Sequence, residues 1–189
     1  RVFDGIRSDY CADDGRTPTT EYGRQMAEIE DRILDLGGLG TVLRLTKVLS
    51  HDDVLLFGWL QTLAVGGKIE AANDMVMAPI TADLAVRILV ELGAMGAQGI
   101  FQMSANRDLT YLEVAWKLAA AVGASDTAVE SVPHSVLAGL SDVANVPGFA
   151  PSHSTLDSTR IGKIIGIPRP SPEEAIVGVI DDWRGLEHP

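Results

Sequence analysis

The sequence predicts an α/β fold. Segments with the 3.6-residue period of amphipathic helices alternate along the chain with short runs rich in valine, isoleucine and leucine. Such an alternation is typical of strands joined by helices in a largely parallel sheet. A hydrophobic share of 46% and a charged share of 22% are those of an ordered globular protein. With 189 residues, the chain is long enough for one domain with a sizeable core, or for a main domain and a small lobe.

The first helix is predicted between residues 17 and 36. Its apolar residues recur at helical spacing and predict one buried stripe, formed by Tyr22, Met26, Ile29, Ile33 and Leu36. Glu28 precedes Arg32 by four residues, in the order that favours an ion pair along a helix. The glycines at 37 and 38 follow the stripe and predict the end of the helix.

Three short runs of apolar and β-branched residues predict strands. They lie at residues 41–49, 68–71 and 99–104. The first run is apolar enough for a strand at the centre of a sheet, covered on both faces. Of two other segments without a clear period, 73–80 is predicted to be irregular chain, and 124–154 is predicted to be a loop with short elements.

Each later helix is predicted from a residue that can cap its N-terminus. The capping residues are Asp52 or Asp53, Thr81, Thr110, Asp157 and Ser171. Two of these starts carry a second signal. Thr110 is followed by Glu113 in a capping box, and Pro172 takes the first helical position after Ser171. The last helix is predicted over residues 172–184.

Charge and composition argue against several kinds of partner. The formal net charge of −11 disfavours a nucleic-acid backbone or an anionic membrane, because both need a basic surface. No apolar run of about 18 residues and no basic region followed by an apolar one occur, so neither a membrane span nor a signal peptide is predicted. The single cysteine, Cys11, excludes an internal disulfide and predicts a reducing compartment, by default the cytoplasm.

Residues near the N-terminus have the order and spacing of a known family. They are Val2–Gly5, Tyr10, Asp13–Asp14, Pro18, Tyr22–Gly23 and Glu30. The chain resembles the extended short-chain dehydrogenases, and among them most closely the dTDP-4-dehydrorhamnose reductase group. The resemblance extends from Val2 to about Trp183.

The resemblance implies the C-terminal part of a Rossmann-type doubly wound parallel sheet, plus a small α/β substrate-binding lobe. Residues 1–50 are then the end of the cofactor domain. Residues 51–189 form mainly the substrate-binding lobe, with returns of the chain to the cofactor domain. Because the chain starts at Arg1 inside a loop of the family, we expect the N-terminal half of the Rossmann domain to precede it.

The resemblance assigns the catalytic proton donor and a cofactor contact to Tyr22. In the family, a lysine four residues later lowers the pKa of the tyrosine and binds the nicotinamide ribose. This chain has Met26 at that position, and a thioether has neither a charge nor a hydrogen to donate. The resemblance therefore implies a cofactor contact at position 26, but the side chain there can neither lower the pKa of the tyrosine nor donate a hydrogen bond to the ribose. The implied cofactor is NADPH or NADH.

The strand at 41–49 holds two residues that the resemblance places in substrate binding. Arg44 matches an arginine of the family, and Lys47 stands where the family has a substrate-contacting tryptophan. A lysine that faces the pocket would attract an anionic ligand such as a diphosphate. The alternative is a lysine whose stem covers the strand and whose charge stays in water. Met77 and Ala150 also depart from the family, the latter standing in place of an arginine.

Other site chemistries have weaker support. The segment Gly93–Gly99 has a GxxGxxG spacing, but a phosphate loop needs a strand before it and a helix after it, and the predicted order is the reverse. The four histidines lie apart, without the spacing of metal ligands: His51, His134, His153 and His188. No metal site is predicted.

Two main functions are compatible with these residues, and a third, an epimerase or dehydratase of the same superfamily, normally needs the lysine that Met26 replaces. The first is reduction of a nucleotide-linked 4-keto-deoxysugar with NADPH or NADH. The second is a non-catalytic ligand-binding or regulatory protein of the same fold, which Met26 favours. The expected partners are a nucleotide sugar and either a second copy of the chain or the missing N-terminal half. A nucleic acid or a membrane is not expected.

Overall fold

The computed structural model describes residues 1–50, 53–137 and 150–187. Helices and strands alternate in it, which confirms the predicted α/β class. The helices are α1 (Glu21–Leu34), α2 (Val54–Ala64), α3 (Ala82–Ala94), α4 (Tyr111–Ala121), α5 (Thr159–Ile165) and α6 (Pro172–Glu187). The strands are β1 (Thr41–Leu45), β2 (Val48–Leu49), β3 (Ile69–Ala72), β4 (Val76–Met77), β5 (Ile80–Thr81), β6 (Gly99–Met103), β7 (Leu109–Thr110) and β8 (Val129–Val132).

The strands pair in twos. β1 runs parallel to β6, with Thr41 opposite Gly99 and Leu45 opposite Met103. The pairs β2–β5 and β3–β8 are also parallel, whereas β4 and β7 pair antiparallel. In the part of the chain that the structure describes, β1 therefore has a neighbour on one side only.

Two predicted segments differ from the structure. The strand predicted at 41–49 is interrupted between β1 and β2, because the chain turns at Thr46 and Lys47. There the Thr46 hydroxyl donates to the carbonyl of Ala78, and the N–H of Ile80 donates to the carbonyl of Lys47 at 2.9 Å. Residues 73–80, predicted to be irregular, contain β4 and the start of β5, whereas β8 is one of the short elements expected within 124–154. These strands are too short to show a period in the sequence.

The helix starts follow the predicted caps, with one shift. Among the predicted caps, the side chains of Asp53, Thr81 and Thr110 each accept an N–H three residues later. The hydroxyl of Ser171 accepts the N–H of Glu173 at 3.3 Å. Both hydrogen bonds of the predicted capping box are present at α4. Helix α5 starts one residue later than predicted, with Ser158 at the N-cap, because Asp157 instead accepts the N–H of Thr159 at 2.9 Å. Asp52, the alternative cap of α2, lies outside the described residues.

Two apolar clusters form the main core. One packs α2, α4 and α6 around β3 and β8, and Leu60 and Leu118 are fully buried in it. The other packs α3 and α5 against β6 around Ile88, Phe101 and Ile161. The division of the chain at residue 50 stays a prediction.

Helix α1 turns a different face inward from the predicted one. Tyr22 and Leu36 of the predicted stripe are 64% and 60% exposed, so the prediction of a buried stripe is wrong. The buried residues of the helix are Gly23 and Glu30. Gly23 faces the backbone of Arg1, where an added Cβ would lie 2.1 Å from the carbonyl oxygen. Close backbone packing and a buried carboxylate therefore set the rotation of α1.

Residues 151–157 hold the N-terminal loop in place through backbone hydrogen bonds. The N–H of His153 donates to the carbonyl of Gly5, and the N–H of Asp157 donates to the carbonyl of Tyr10, both at 3.0 Å. Gly5 has a φ of +76°, and a Cβ at this position would lie 2.2 Å from the Cβ of Pro151. The meeting point of the two segments therefore requires glycine.

Candidate functional site

A cleft of about 810 Å³ opens beside β3 and β8. Trp59 of α2 and Tyr111 of α4 line it together with charged residues of the two strands. The parallel register of the strands places Glu70 directly opposite Glu130. Aromatic side chains offer a flat apolar surface to a ring, and a few polar groups at a cleft fix the orientation of a ligand. The arrangement therefore suits a ligand that combines rings with polar groups.

Tyr111 stands at the edge of this cleft, near an ion pair. It is the first residue of α4, and its N–H donates to the carbonyl of Met75 at 3.1 Å. Burial raises the pKa of the Tyr111 phenol, the charge of Lys47 acts against this rise, and the charge of Asp53 adds to it. The phenol therefore stays protonated and can donate a hydrogen bond to a ligand.

Lys47 is held at the N-terminus of α2. Its Nζ lies 2.7 Å from Oδ2 of Asp53, while Oδ1 of the same carboxylate accepts the N–H of Leu56 at 3.1 Å. The Lys47 side chain is 40% exposed and that of Asp53 only 10%. An ammonium group has three hydrogens to donate, so this contact leaves donors for an anionic ligand. A substrate-binding role for Lys47 stays a prediction.

Arg1 lies beside the start of α1. The backbone of Arg1 lies against Gly23, which directly follows Tyr22. Burial lowers the pKa of the Arg1 guanidinium, and the nearby phenol of Tyr111 acts against this shift. Arg1 therefore touches the first turn of α1 through its backbone and interacts electrostatically with Tyr111 through its side chain.

Tyr22 and Met26 lie in different environments. Tyr22 is 64% exposed. Met26 is half-buried and packs against a small apolar cluster of Val2, Phe3 and Tyr10. The side chain at position 26 thus contributes packing. The predicted roles of these two residues as proton donor and cofactor contact stay predictions.

Arg44 directs its hydrogen bonds to groups of the protein. Its Nε and Nη2 donate to the two carboxylate oxygens of Glu30 at 2.9 and 2.7 Å. Its Nη1 donates to the amide oxygen of Gln102 at 3.0 Å and to the carbonyl of Ala12 at 3.3 Å. The side chains of Arg44 and Glu30 are only 7% and 8% exposed. Arg44 therefore joins β1 to α1, β6 and the N-terminal loop, and the predicted contact with a substrate stays a prediction.

The nicotinamide cofactor implied by the resemblance does not fit position 26. Binding of a ribose hydroxyl there needs a hydrogen-bond donor, and the Met26 thioether has none. The glycine-rich segment Gly93–Gly99 runs from the last turn of α3 to the first residue of β6, so a helix precedes it and a strand follows, as predicted. This order leaves no helix N-terminus for a phosphate.

The described residues also bear on metals and membranes. Within residues 1–50, 53–137 and 150–187, no group of three or more His, Cys, Asp or Glu side chains is placed to hold a metal ion. None of the helices in these ranges combines the length and hydrophobicity needed to cross a bilayer.

The cleft and Tyr111 are not evident from the sequence. Trp59 and Tyr111 have the pattern of ordinary helix residues. Aromatic residues make up only 5% of the chain. This rarity is a signal in the sequence, because it makes each aromatic side chain in a helix a candidate for ring contacts with a ligand. Glu70 and Glu130 meet only through the pairing of β3 with β8, for which the sequence carries no local signal.

Solved structures share this fold. A dTDP-4-dehydrorhamnose reductase from Clostridium acetobutylicum matches 97% of the chain and 63% of its own length, with a TM-score of 0.80 and 16% identity. A reductase of the same name from Bacillus anthracis, in complex with NADP, matches 96% of the chain and 62% of its own length, with a TM-score of 0.77 and 18% identity. A dTDP-glucose 4,6-dehydratase from Bacillus anthracis, in complex with NAD, matches 97% and 60%, with a TM-score of 0.78 and 12% identity.

The chain thus spans 60% to 63% of the length of these enzymes, and the likeness confirms the Rossmann-type fold. No curated protein matches the sequence. A family model described as the RmlD substrate binding domain matches residues 1–184. This match confirms the resemblance drawn from the N-terminal residues, and the chain belongs to the RmlD substrate binding domain family.

Proposed function

We propose that this chain binds a nucleotide sugar in the cleft beside β3 and β8. The observation that carries the proposal is the cleft itself, which Trp59 and Tyr111 line, and the charge of Lys47 acts on the Tyr111 phenol. Aromatic rings stack on a base or a sugar, and the ammonium group attracts a diphosphate. Membership in a family of substrate-binding domains supports this assignment.

The finer function that we propose is reduction of a nucleotide-linked 4-keto-deoxysugar, with NADPH or NADH as the reductant. Tyr22 is the proton donor in this proposal, and its exposed side chain is accessible to a ligand. Met26 is the obstacle, because a neutral thioether cannot stabilise the tyrosinate that proton donation leaves behind. A location in the cytoplasm and a role in carbohydrate biosynthesis are further parts of this proposal.

A non-catalytic ligand-binding or regulatory protein is the second candidate, and Met26 favours it. Met77, another departure from the family, is 2% exposed and belongs to the main apolar cluster. Lys47 is paired with Asp53 at 2.7 Å. Position 150 has an alanine, which offers no charge to a diphosphate. These residues support a protein that keeps a ligand site and has lost turnover.

Calorimetric titration with dTDP-glucose tests the binding proposal. Trp59→Leu is expected to weaken binding about tenfold or more, because it removes the ring from the cleft. Trp116→Leu is the matched control, since Trp116 is 43% exposed on α4 and does not line the cleft. Absence of saturable binding in the parent protein, or equal losses in both variants, would contradict the proposal.

Met26→Lys distinguishes the two finer candidates. Oxidation of NADPH or NADH by a dTDP-linked 4-keto sugar is measured in the parent protein, in Met26→Lys and in the control Met26→Leu. Activity in Met26→Lys alone supports a protein that has lost turnover at this position. Activity in the parent protein eliminates the non-catalytic candidate. Tyr22→Phe in the active background then reports whether Tyr22 is the proton donor.

A further inference from the structure

The outer face of α3 carries an apolar stripe. Val86, Leu89 and Val90 are 58%, 53% and 63% exposed. They are three and four residues apart, so they lie side by side on one helix face. The opposite face already packs in the core through Ala85, Ile88 and Leu92. The helix is therefore apolar on two faces, whereas the outer face of a surface helix is normally polar.

The stripe continues to a glycine. Gly93 lies three residues beyond Val90 and seven beyond Val86, on the same face. A Cβ added at Gly93 would meet no atom within 4 Å in the described part of the chain. Glycine weakens a helix interior, and no contact among the described residues requires it here. The stripe thus has a place that can receive a side chain from another molecule.

Two opposite charges flank the stripe. Arg87 and Glu91 are both exposed, and neither has an ion pair within the described residues. An arginine followed four residues later by a glutamate is the less favourable order for a pair within one helix. Both charged groups are therefore available to a partner helix.

A second copy of α3 complements this pattern. In an antiparallel pair of helices related by a twofold axis between Leu89 and Val90, Val86 of each copy lies over Gly93 of the other. The same axis brings Arg87 of one copy close to Glu91 of the other, within the reach of their long side chains. A twofold contact uses one surface twice, so the apolar stripe and the flanking charges are both complementary to themselves.

We propose that two copies of this chain associate through α3, with Val86 packed over Gly93 and Arg87 paired with Glu91 across a twofold axis. One helix face buries much less than the roughly 800 Å² per partner of a standard interface, so the association is weak and depends on concentration. It is independent of the proposed nucleotide-sugar site, because no residue of α3 lines the cleft.

Sedimentation of the full-length protein from about 1 µM to about 500 µM tests the charge pair. Arg87→Glu and Glu91→Arg each bring like charges together and are expected to raise the Kd of the dimer about tenfold. The double variant Arg87→Glu/Glu91→Arg restores opposite charges and returns the Kd to that of the parent protein. Failure of the double variant to recover overturns the proposed pairing.

Gly93→Leu tests the apolar part. Leucine favours the helix and meets open space in its own chain, so the monomer folds, but it fills the place of Val86 and abolishes the dimer. Gly185→Leu is the control, because Gly185 is an exposed glycine of α6 that is also surrounded by open space. A protein that stays monomeric at the highest concentration, or a dimer that tolerates Gly93→Leu, overturns the proposal.

Discussion

The guanidinium of Arg44 connects three parts of the fold through the carboxylate of Glu30, the amide of Gln102 and the carbonyl of Ala12. Arg16 adds a second cation at 3.5 Å from Glu30. Removal of one member of a buried ion pair leaves a charge with neither water nor partner, which costs about 3–5 kcal/mol. The network therefore tolerates single changes poorly.

Glu30→Ala is expected to lower the free energy of unfolding by about 3–5 kcal/mol, because the buried charge of Arg44 loses its partner. Glu28→Ala is the control. It breaks the pair of Glu28 and Arg32, which is exposed and has an N–O distance of 2.6 Å. Its expected cost is about 0.5 kcal/mol or less. Urea unfolding followed by fluorescence measures both variants, and equally small losses would show that the buried pair is unimportant for stability.

Glu173 is expected to give the protein a pH-dependent stability. Burial works against its ionisation, but hydrogen bonds from Ser171, its own backbone and Lys117, together with the charge of Arg107, lower its pKa from 4.5 to about 2. Because the pKa is lowered in the folded state, its contribution to stability is fully present above pH 4.5 and is lost as the pH falls toward about 2.

Glu173→Gln is expected to remove this contribution, which screening by water limits to about 1 kcal/mol. The difference in unfolding free energy between the parent protein and the variant should therefore shrink as the pH falls from 4.5 toward about 2. Lys117→Met removes a cation 3.2 Å from the carboxylate, so this variant should lose part of the pH-dependent stability that Glu173 provides. A difference that stays constant over this pH range would contradict the assignment.

Helix α4 offers a test at the scale of one element. The Thr110 hydroxyl accepts the N–H of Glu113 at 3.0 Å, and the Glu113 carboxylate accepts the N–H of Thr110 at 2.6 Å. Thr110→Ala removes the first bond and is expected to cost about 1 kcal/mol. Thr110→Ser keeps the accepting oxygen and should cost little. Thermal unfolding compares the two variants, and equal losses would mean that the hydroxyl is not the cap.

The starts of the helices could be predicted because a cap acts over a few residues. Asp53, Thr81 and Thr110 each bind an N–H three positions later in the chain. Strand β8 could not be predicted in this way. It forms by pairing with β3, where Ile69 lies opposite Val129, so its stabilising contacts come from a distant segment.

The rotation of α1 could not be predicted either, because it too depends on contacts with distant segments. Its apolar stripe predicts the wrong buried face because Glu30 forms an ion pair with Arg44 and Gly23 packs against backbone. At the candidate site, the resemblance points to Arg44 and Lys47. Their partners across the fold, and the position of Tyr111 beside the cleft, follow only from the tertiary structure.

Gly5 tests how much the contact between the N-terminal loop and residues 151–157 stabilises the whole molecule. Gly5→Ala is expected to lower the free energy of unfolding by about 2 kcal/mol or more, since φ is positive there and the new Cβ meets Pro151. Gly166→Ala is the control, because Gly166 also has a positive φ, +70°, but faces open space and should cost about 1 kcal/mol. Urea unfolding measures both, and equal losses would show that the contact with Pro151 is unimportant.

The fastening of the N-terminal loop by residues 151–157 also concerns the synthesis of the protein. Asp9 and its partner Thr155 are 146 residues apart. A ribosome adds about 5–20 residues per second, so the loop waits about 7–30 s before its partners leave the exit tunnel. During this interval the apolar side chains of Val2 and Phe3 lack the cover of Leu156. The N-terminal loop therefore reaches its final position only after residues 151–157 have been made, although it is synthesised well before them.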